Sequence, residues 1–443
     1  MMKRIIGFGR MFKRRIAFAT IACLVGVLAP GAWSQQQSQS PLVVAEIRIL
    51  GNNQTKDGTI LREMSIQVGD TLSERAIGHD RQRIYDLQLF NRVDLQFTIE
   101  RDSAIVYVIV HERWYVFPFP VIGFKYRDPD NLYYGAGIMH QNFRGRNEKI
   151  FAAFAVGFDR WIEASYFNPR LNSDDLFLRT SLQSAKLQNL RPEMGFYDQQ
   201  RYGVSLLLGK RFGLYQTFSG WINYDVWIVP FDRYRGTLSS SGRDAFLSFG
   251  LSYSYDTRDL REYATGGSAY SVTAIKAGLG TSEVDHMRLG FSARTFRKIT
   301  GDVSIGGRVF GTFTAGGPLP PYSYLYFGYD ERIRGYFTRI VEGEHAIGTN
   351  VEFRIPILTP RYLTIPGLVV PQFSVLRYGI YAGIFADAGK TWYRSESFSS
   401  RRWYAGAGGG LHFLLPYSLI LRTEYAWNDR GSGEFVLDIG AAF

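Results

Sequence analysis

Apolar and polar side chains alternate with a period of two from about residue 115 to the last residue of the chain. This period is that of β-strands with two unlike faces. In the stretch 244–256 one face carries Leu247, Phe249, Leu251, Tyr253 and Tyr255, and the other carries mainly serine and glycine. Aromatic residues form 16% of the chain, and a soluble sandwich seldom places so many on one face. The pattern therefore predicts a β-barrel that spans an outer membrane.

The alternation divides 115–443 into sixteen predicted strands. They are residues 115–126, 131–142, 147–158, 160–168, 174–187, 199–211, 215–229, 244–256, 268–278, 285–297, 302–314, 345–355, 377–388, 402–413, 417–427 and 433–443. This gives roughly 20 residues for each strand and its connection, enough for a tilted spanning strand of about 9–11 residues.

Residues 1–34 have the composition of a secretory signal peptide. Six basic residues precede an apolar run from Ile16 to Ala29, and Ala32-Trp33-Ser34 fits a small-x-small cleavage site. The alternative is a membrane-anchoring helix, but the run of about 14 apolar residues falls short of the roughly 20 that span a bilayer. This segment holds six of the 51 basic residues and none of the 40 acidic ones. The remaining net charge of +5 is too low to predict nucleic-acid binding.

Residues 42–113 read as a small α+β domain with the order β-α-α-β-β. A strand at 43–50 is followed by two short helices, for which Asp57 and Ser73 are the expected N-caps. Two more strands follow, separated by a polar turn at 100–103. The first of these has an alternating apolar row, formed by Val93, Leu95, Phe97 and Ile99.

One long irregular segment, 315–344, interrupts the strands of the predicted barrel. Its prolines at 318, 320 and 321 exclude a continuous strand, and loops of this length are usually functional. It carries Arg334 next to Gly335 and Tyr336. A buried guanidinium needs counter-charges, and Glu352 and Asp387 lie on lumen-facing strand positions. We therefore expect Arg334 to anchor this loop to the inner wall, with Gly335 allowing a close approach.

The first and last barrel strands carry features that weaken the seam between them. Pro118 and Pro120 stand two residues apart, so both lack an N–H on the same side of their strand. If that side faces the last strand, the closing seam loses two donors. Gly440 adds a kink to that strand, whose apolar face is expected to continue to Phe443. The alternative is that both prolines lie beyond the bilayer, where they cost little.

These motifs resemble those of the outer-membrane protein assembly factor superfamily, which includes the two-partner secretion transporters. Residues 332–336 (RIRGY) resemble its [V/I]-R-G-[Y/F] loop motif, and Phe385-x-Asp387-x-Gly389 resembles its F-x-D-x-G strand motif. Residues 256–259 (DTRD) resemble its segment after the eighth strand, and the terminal Phe443 resembles its outer-membrane targeting signal. The resemblance implies that Arg334 and Asp387 interact.

Residues 42–113 are similar to a polypeptide-transport-associated (POTRA) domain. The similarity rests on the element order and on Leu87-x-Leu89-Phe90-x-x-Val93, although any small α+β domain is an alternative. The family's assembly factors usually have several such domains and its secretion transporters two, whereas this chain has room for one. In the periplasm, the edge strand holding Val93, Leu95, Phe97 and Ile99 would bind an extended client.

The resemblance implies an outer-membrane protein that inserts or exports unfolded polypeptide through its POTRA domain and the weak seam. Its expected partners are unfolded outer-membrane or secreted polypeptides, outer-membrane lipid, and periplasmic chaperones or lipoproteins. The alternative is a passive pore or a structural surface barrel. The six histidines form no catalytic or metal-binding pattern, so we expect no enzyme activity, catalytic residue, metal or cofactor. An outer-membrane hydrolase stays open as a minor alternative.

Overall fold

The computed structural model describes residues 42–125, 129–172, 174–189, 197–229, 236–279, 283–327, 333–336 and 341–443. The predicted signal peptide and Arg332 of the loop motif lie outside these residues. None of the helices in the described residues is long and apolar enough to cross a bilayer.

The N-terminal domain has the predicted β-α-α-β-β order. Its elements are β1 (Val43–Leu50), α1 (Asp57–Leu61), α2 (Glu74–Tyr85), β2 (Phe90–Glu100) and β3 (Ser103–Glu112). The sheet order is β1-β3-β2, with β1 parallel and β2 antiparallel to β3, so β2 is an edge strand. Ser73 caps α2 by accepting a hydrogen bond from the N–H of Ala76 at 3.2 Å. The cap assigned to Asp57 was wrong, because Asp57 is the first helical residue and Lys56 precedes it without a side-chain cap.

Sixteen strands in chain order form the predicted barrel, each antiparallel to its neighbours. They are β4 (Val116–Phe124), β5 (Leu132–Phe143), β6 (Glu148–Gly157), β7 (Arg160–Asn168), β8 (Leu176–Gln188), β9 (Asp198–Phe212), β10 (Gln216–Ile228), β11 (Arg243–Asp256), β12 (Gly267–Leu279), β13 (His286–Thr300), β14 (Val303–Gly316), β17 (His345–Thr364), β18 (Val375–Trp392), β19 (Tyr404–Leu415), β20 (Leu419–Asn428) and β21 (Gly433–Ile439). Strands β17 and β18 are longer than predicted, because their hairpin extends toward the N-terminal domain and contacts β2.

Outward positions of the strands are apolar and exposed. On β9, Tyr202, Val204, Leu206 and Leu208 are 47–52% exposed, while the residues between them face the lumen. This alternation places the charged side chains of the late strands inside the barrel.

The long loop between β14 and β17 contains two short paired strands, β15 (Leu325–Phe327) and β16 (Val341–Gly343). Short 3₁₀ turns lie at Pro129–Asn131, Pro321–Ser323, Pro371–Phe373 and Pro416–Ser418. The loop segment 333–336 lies between β15 and β16 in sequence and reaches the inner wall of the barrel.

The last strand is shorter than predicted, and the chain end does not share its lipid-facing row. Strand β21 stops at Ile439, and Gly440 has a φ of +103°, a conformation that favours glycine. Beyond this turn Phe443 is only 8% exposed and stacks on the inward-facing Phe296, with ring centroids 5.8 Å apart. The prediction that Phe443 continues the outer face was therefore wrong, because the turn at Gly440 carries the chain end into the lumen.

Candidate functional site

A buried ion-pair cluster surrounds Arg334 at the tip of the long loop. The Arg334 guanidinium donates to both carboxylate oxygens of Asp387, at 2.8 and 2.9 Å. Its Nη1 donates to Glu352 at 2.7 Å and to Glu424 at 3.0 Å. The main-chain N–H of Arg334 also donates to Asp387, at 3.1 Å. A planar guanidinium can satisfy several carboxylates at once, so this one side chain ties the loop to β17, β18 and β20.

Further charges extend the cluster beyond the three carboxylates. Arg354 donates to Glu352 at 2.9 Å, and Arg422 donates to Glu424 at 2.8 Å. His412 contacts Glu424 at 3.0 Å and accepts or donates a hydrogen bond with the Tyr263 hydroxyl at 2.8 Å. All of these side chains are less than 5% exposed. Three arginines thus face three buried carboxylates, which keeps the cost of burying each charge low.

Glu352, His412 and Glu424 have ligand atoms close enough together for a metal ion. However, both oxygens of Glu352 accept from Arg334 and Arg354, and both oxygens of Glu424 accept from arginines. A divalent cation would have to displace these guanidinium groups. The donor set fits an ion-pair network rather than a metal centre.

Glycines allow the loop backbone to lie directly against the wall. Gly335 has a φ of +95°, and its N–H donates to Glu434 at 3.0 Å. A Cβ on Gly406 of β19 would overlap the carbonyl oxygen of Arg334, and one on Gly389 would lie 2.7 Å from Ile333. The glycine run at 406–410 therefore provides the space into which this loop fits.

Apolar packing supports the same segment. Ile333 and Tyr336 are buried in a cluster with Phe310 and Phe327. The Tyr336 ring meets Tyr404 edge to face at 5.0 Å. Beneath the guanidinium, the Phe385 ring lies 3.6 Å from the Arg334 Cζ, a cation–π contact. The structure thus brings together Arg334, Gly335, Tyr336, Glu352, Phe385, Asp387 and Gly389.

The seam between β4 and β21 has two free strand edges. No backbone ladder joins these two strands within the described residues. The Gln141 N–H donates to the Tyr115 carbonyl, so residues 115, 117 and 119 turn their backbone groups to β5. By the same alternation, Pro118 and Pro120 turn theirs to the seam. Their missing N–H groups therefore remove two donors from that edge.

The partner edge belongs to β21. The Gly440 N–H donates to the Ile420 carbonyl at 2.8 Å, so residues 434, 436 and 438 face β20. Phe435, Leu437 and Ile439 accordingly turn their backbone groups to the seam, and their side chains are 60–72% exposed on the outer face. Gly440 ends this edge, whereas Phe443 lies in the lumen and not at the seam.

The row proposed as a client-binding edge lies on β2, at the edge of the N-terminal sheet. Val93 is buried, and Leu95 packs partly against the domain core. Phe97 and Ile99 are 43% and 64% exposed. The start of β2 is covered, because Asn91 donates to the Gln372 carbonyl of the β17–β18 connection. The accessible part of this edge is therefore its second half.

The N-terminal domain docks onto the end of the barrel where β4 begins. Glu63 is 7% exposed and accepts from Arg83 of its own domain at 2.7 Å and from Arg211 of β9 at 2.8 Å. Arg113, which is 2% exposed, donates to the Ser418 hydroxyl at 3.0 Å. Leaving one of these buried charges unpaired is costly, so the contacts hold the domain over the barrel mouth.

Asp86 makes this docking dependent on pH. Burial raises the pKa of Asp86 to about 7, and the nearby Glu262 carboxylate adds to this increase. The main-chain N–H and the charge of Arg261, together with the charge of Arg83, act in the opposite direction. An undocked Asp86 exposed to water would titrate near 3.9. At a pH between these two pKa values, docking is therefore accompanied by protonation of Asp86. We expect docking to weaken as the pH rises through about 7. His79 also contacts the barrel, through the hydroxyl of Tyr215 at 2.8 Å.

Distances between spin labels at Val68→Cys and Lys298→Cys at pH 5.5 and 8.5 would measure this effect, since both positions are exposed. The Asp86→Asn variant removes the titrating carboxyl group and isolates its contribution. A pH response that persists unchanged in this variant would show that Asp86 is not its source.

Several residues of the cluster were not identified as site residues from the sequence. Alternation predicts that Glu424 and Arg422 face inward on β20, but it does not link them to Arg334, because alternation gives a face and not a neighbour. Tyr263 lies in the 257–266 turn, which folds into the lumen. The DTRD segment, residues 256–259, forms the start of this turn and contains an ion pair between Asp256 and Arg258 at 2.9 Å. His412 lies at an inward-facing position of the alternating pattern on β19, and this position was the sequence signal that could have identified it.

Comparison with known proteins places both parts of the chain. Residues 142–443, more than half of the chain, match the family model of the Omp85 superfamily domain. Residues 42–113 match the POTRA model described as the surface antigen variable number repeat. The outer membrane protein assembly factor BamA of Nitratidesulfovibrio vulgaris (strain Hildenborough) is 21% identical over 318 residues. That alignment covers 68% of this chain but only 39% of the relative.

Solved structures share the fold at low identity. BamA from Haemophilus ducreyi lacking POTRA domains 1–3 is 18% identical with a TM-score of 0.54, covering 90% of this chain and 83% of that one. CdiB from Acinetobacter baumannii is 14% identical with a TM-score of 0.52, covering 90% and 73%. Both solved structures therefore share the overall fold of this chain.

Proposed function

Because the chain belongs to the Omp85 superfamily, we propose that it inserts unfolded polypeptides into the outer membrane or exports them across it. The barrel lies in the outer membrane and the POTRA domain in the periplasm. This family consists of assembly and transport proteins and not of enzymes. We also propose residues 1–34 as the signal peptide, 42–113 as the POTRA domain and 115–443 as the barrel.

The pair of free edges at the seam is the observation that carries this proposal. An unpaired strand edge offers a row of N–H and C=O groups to an incoming strand. The edge at Phe435, Leu437 and Ile439 supplies such a row, and the prolines of β4 leave its opposite neighbour short of donors. A client strand that adds to β21 gains hydrogen bonds that β4 does not supply.

The POTRA domain would deliver the client to this seam. The second half of β2 is exposed and lies at a sheet edge, so an extended segment can add there as a further strand. Arg334 would hold the loop against β17, β18 and β20, and the loop would close the lumen between rounds of transport. A passive pore is the alternative. However, a loop anchored to the inner wall and a domain docked at the barrel mouth would both hinder the diffusion of solutes through the lumen.

Folding of an unfolded outer-membrane client in liposomes, with and without the full-length chain, tests the proposed function. We expect faster folding with the chain present. Phe97→Lys combined with Ile99→Lys should reduce this acceleration several-fold, because charges on an edge strand oppose strand addition.

Val68→Lys is the matched control, since Val68 is 63% exposed on the same domain but not on β2. Equal acceleration by all three proteins would contradict the role of the β2 edge. No acceleration by the folded wild type, together with steady ion conductance, would favour the pore.

A further inference from the structure

A cavity of about 500 Å³ lies between the POTRA domain and the inner wall of the barrel. Its POTRA side is formed by side chains at the ends of α1 and α2, among them Thr59 and Leu87. Its barrel side is formed by lumen-facing residues of β6–β13 and by the 257–266 turn. The cavity therefore lies on the route from the periplasm into the lumen.

The lining of this cavity is strongly basic. Seven arginine or lysine side chains line it against three carboxyl groups, those of Glu63, Asp86 and Asp256. Each carboxyl group is already engaged: Glu63 by Arg83 and Arg211, Asp256 by Arg258, and Asp86 by the main chain of Arg261. Seven cationic groups against three carboxyl groups give the lining a net formal charge of +4.

Lys149 is the side chain of this lining best placed to bind an anion. It lies at the periplasmic end of β6, its side chain faces the lumen, and it is partly buried. No hydrogen bond or ion pair joins its ammonium to any described residue, although the structure describes the strands on both sides of it. The charges of Arg179 and Arg261 repel its ammonium group. A bound anion would offset the repulsion among these cationic groups.

We propose that this cavity binds an acidic, extended segment of the client polypeptide, with Lys149 as its principal anion-binding side chain. This inference rests on the proposed function and names the kind of client sequence that the entrance recognises. The inward-facing aromatic residues of the lining, Phe167, Phe177 and Tyr215, give apolar contacts to peptide side chains next to the charges. A lipid phosphate fits less well, because its acyl chains would have to enter the polar lumen inside the ring of strands.

Binding of a fluorescent decapeptide with four glutamates to the full-length protein in detergent tests this site. The comparison peptide has glutamine at the same four positions. We expect the glutamate peptide to bind at least tenfold more tightly, with an affinity that falls as salt is added. Lys149→Gln should weaken its binding at least fivefold, while Lys149→Arg should restore most of it.

Lys298→Gln is the matched control, because Lys298 is an exposed residue near the end of β13, at the same end of the barrel but outside the cavity. Unchanged affinity in a folded Lys149→Gln variant would overturn the proposal. Displacement of the peptide by inorganic phosphate or by anionic lipid at equal charge concentration would also overturn it, in favour of a general anion or lipid site. Client-insertion assays distinguish this proposal from the proposed function. A client without acidic segments should insert normally in the presence of the Lys149→Gln variant. Failure of the wild-type protein to insert any client would contradict the proposed function alone.

Discussion

Arg334→Ala should lower the thermal stability of the barrel and raise its ion conductance, the largest effect expected of any single substitution in the lumen. The change leaves Asp387 without a cationic partner among the described residues, and removes one partner each from Glu352 and Glu424. Removing one member of a buried ion pair typically costs about 3–5 kcal/mol. The loop also loses the side chain that ties it to three strands, so it should leave the wall and open the lumen.

Heat-dependent gel mobility and single-channel recording would measure the two effects. Arg334→Lys keeps the charge but cannot form the forked contacts, so an intermediate loss is expected. Arg401→Ala is the matched control, because Arg401 pairs with Glu396 at 2.8 Å on the exposed surface, where such pairs contribute about 0–1 kcal/mol. Wild-type stability and conductance in Arg334→Ala would remove the basis for an anchored loop.

The Gly406→Ala variant tests the effect of moving the loop without removing the charge of Arg334. The added Cβ would overlap the carbonyl oxygen of Arg334, so the loop has to move although every charged group stays. We expect raised conductance with a smaller loss of stability than in Arg334→Ala. If conductance rises only when charge is removed, close backbone contact is not what holds the loop.

The barrel, its strand count and the inner position of the charges were predictable because alternation is a local property. A strand that spans a bilayer has to show one apolar face, and a closed barrel fixes the sequential order of neighbours. Glu352 and Asp387 could be proposed as partners of Arg334 because each faces inward on a strand after the loop. Glu424 is a third such residue, on β20, which is separated from β18 only by β19. Alternation does not show which inward side chains meet across the curved wall.

The turns were less predictable, since they depend on contacts between distant parts of the chain. Alternation continues in the sequence through Ala441 and Phe443, yet the backbone at Gly440 has a positive φ and reverses their side. The pattern of side chains carries no sign of this, because glycine allows both conformations. Likewise, nothing local shows that Tyr263 enters the lumen to meet His412, or that Asp86 is covered by the 257–266 turn.

Restoring backbone donors to β4 should close the seam and slow client insertion. The Pro118→Ala, Pro120→Ala double variant supplies two N–H groups on the edge that faces β21. Each new hydrogen bond is worth about 0.5–1.5 kcal/mol, so the open seam should become roughly tenfold less populated. Insertion should slow by a similar factor and the barrel should melt at a higher temperature. Pro360→Ala is the control, because Pro360 lies on β17, away from the seam between β4 and β21.

A reversible cross-link tests the same seam more directly. The only cysteine of the chain is Cys23, within the predicted signal peptide, so introduced cysteines have no competing thiol in the barrel. Pairs combining Pro118→Cys or Pro120→Cys with Phe435→Cys or Leu437→Cys sample the register between the two edges. Whichever pair oxidises should stop insertion until reductant is added, because β21 can then accept no client strand. Full activity in a protein with the cross-link formed would mean that clients pass through the lumen and not through the seam, and the free edges would then serve no templating role.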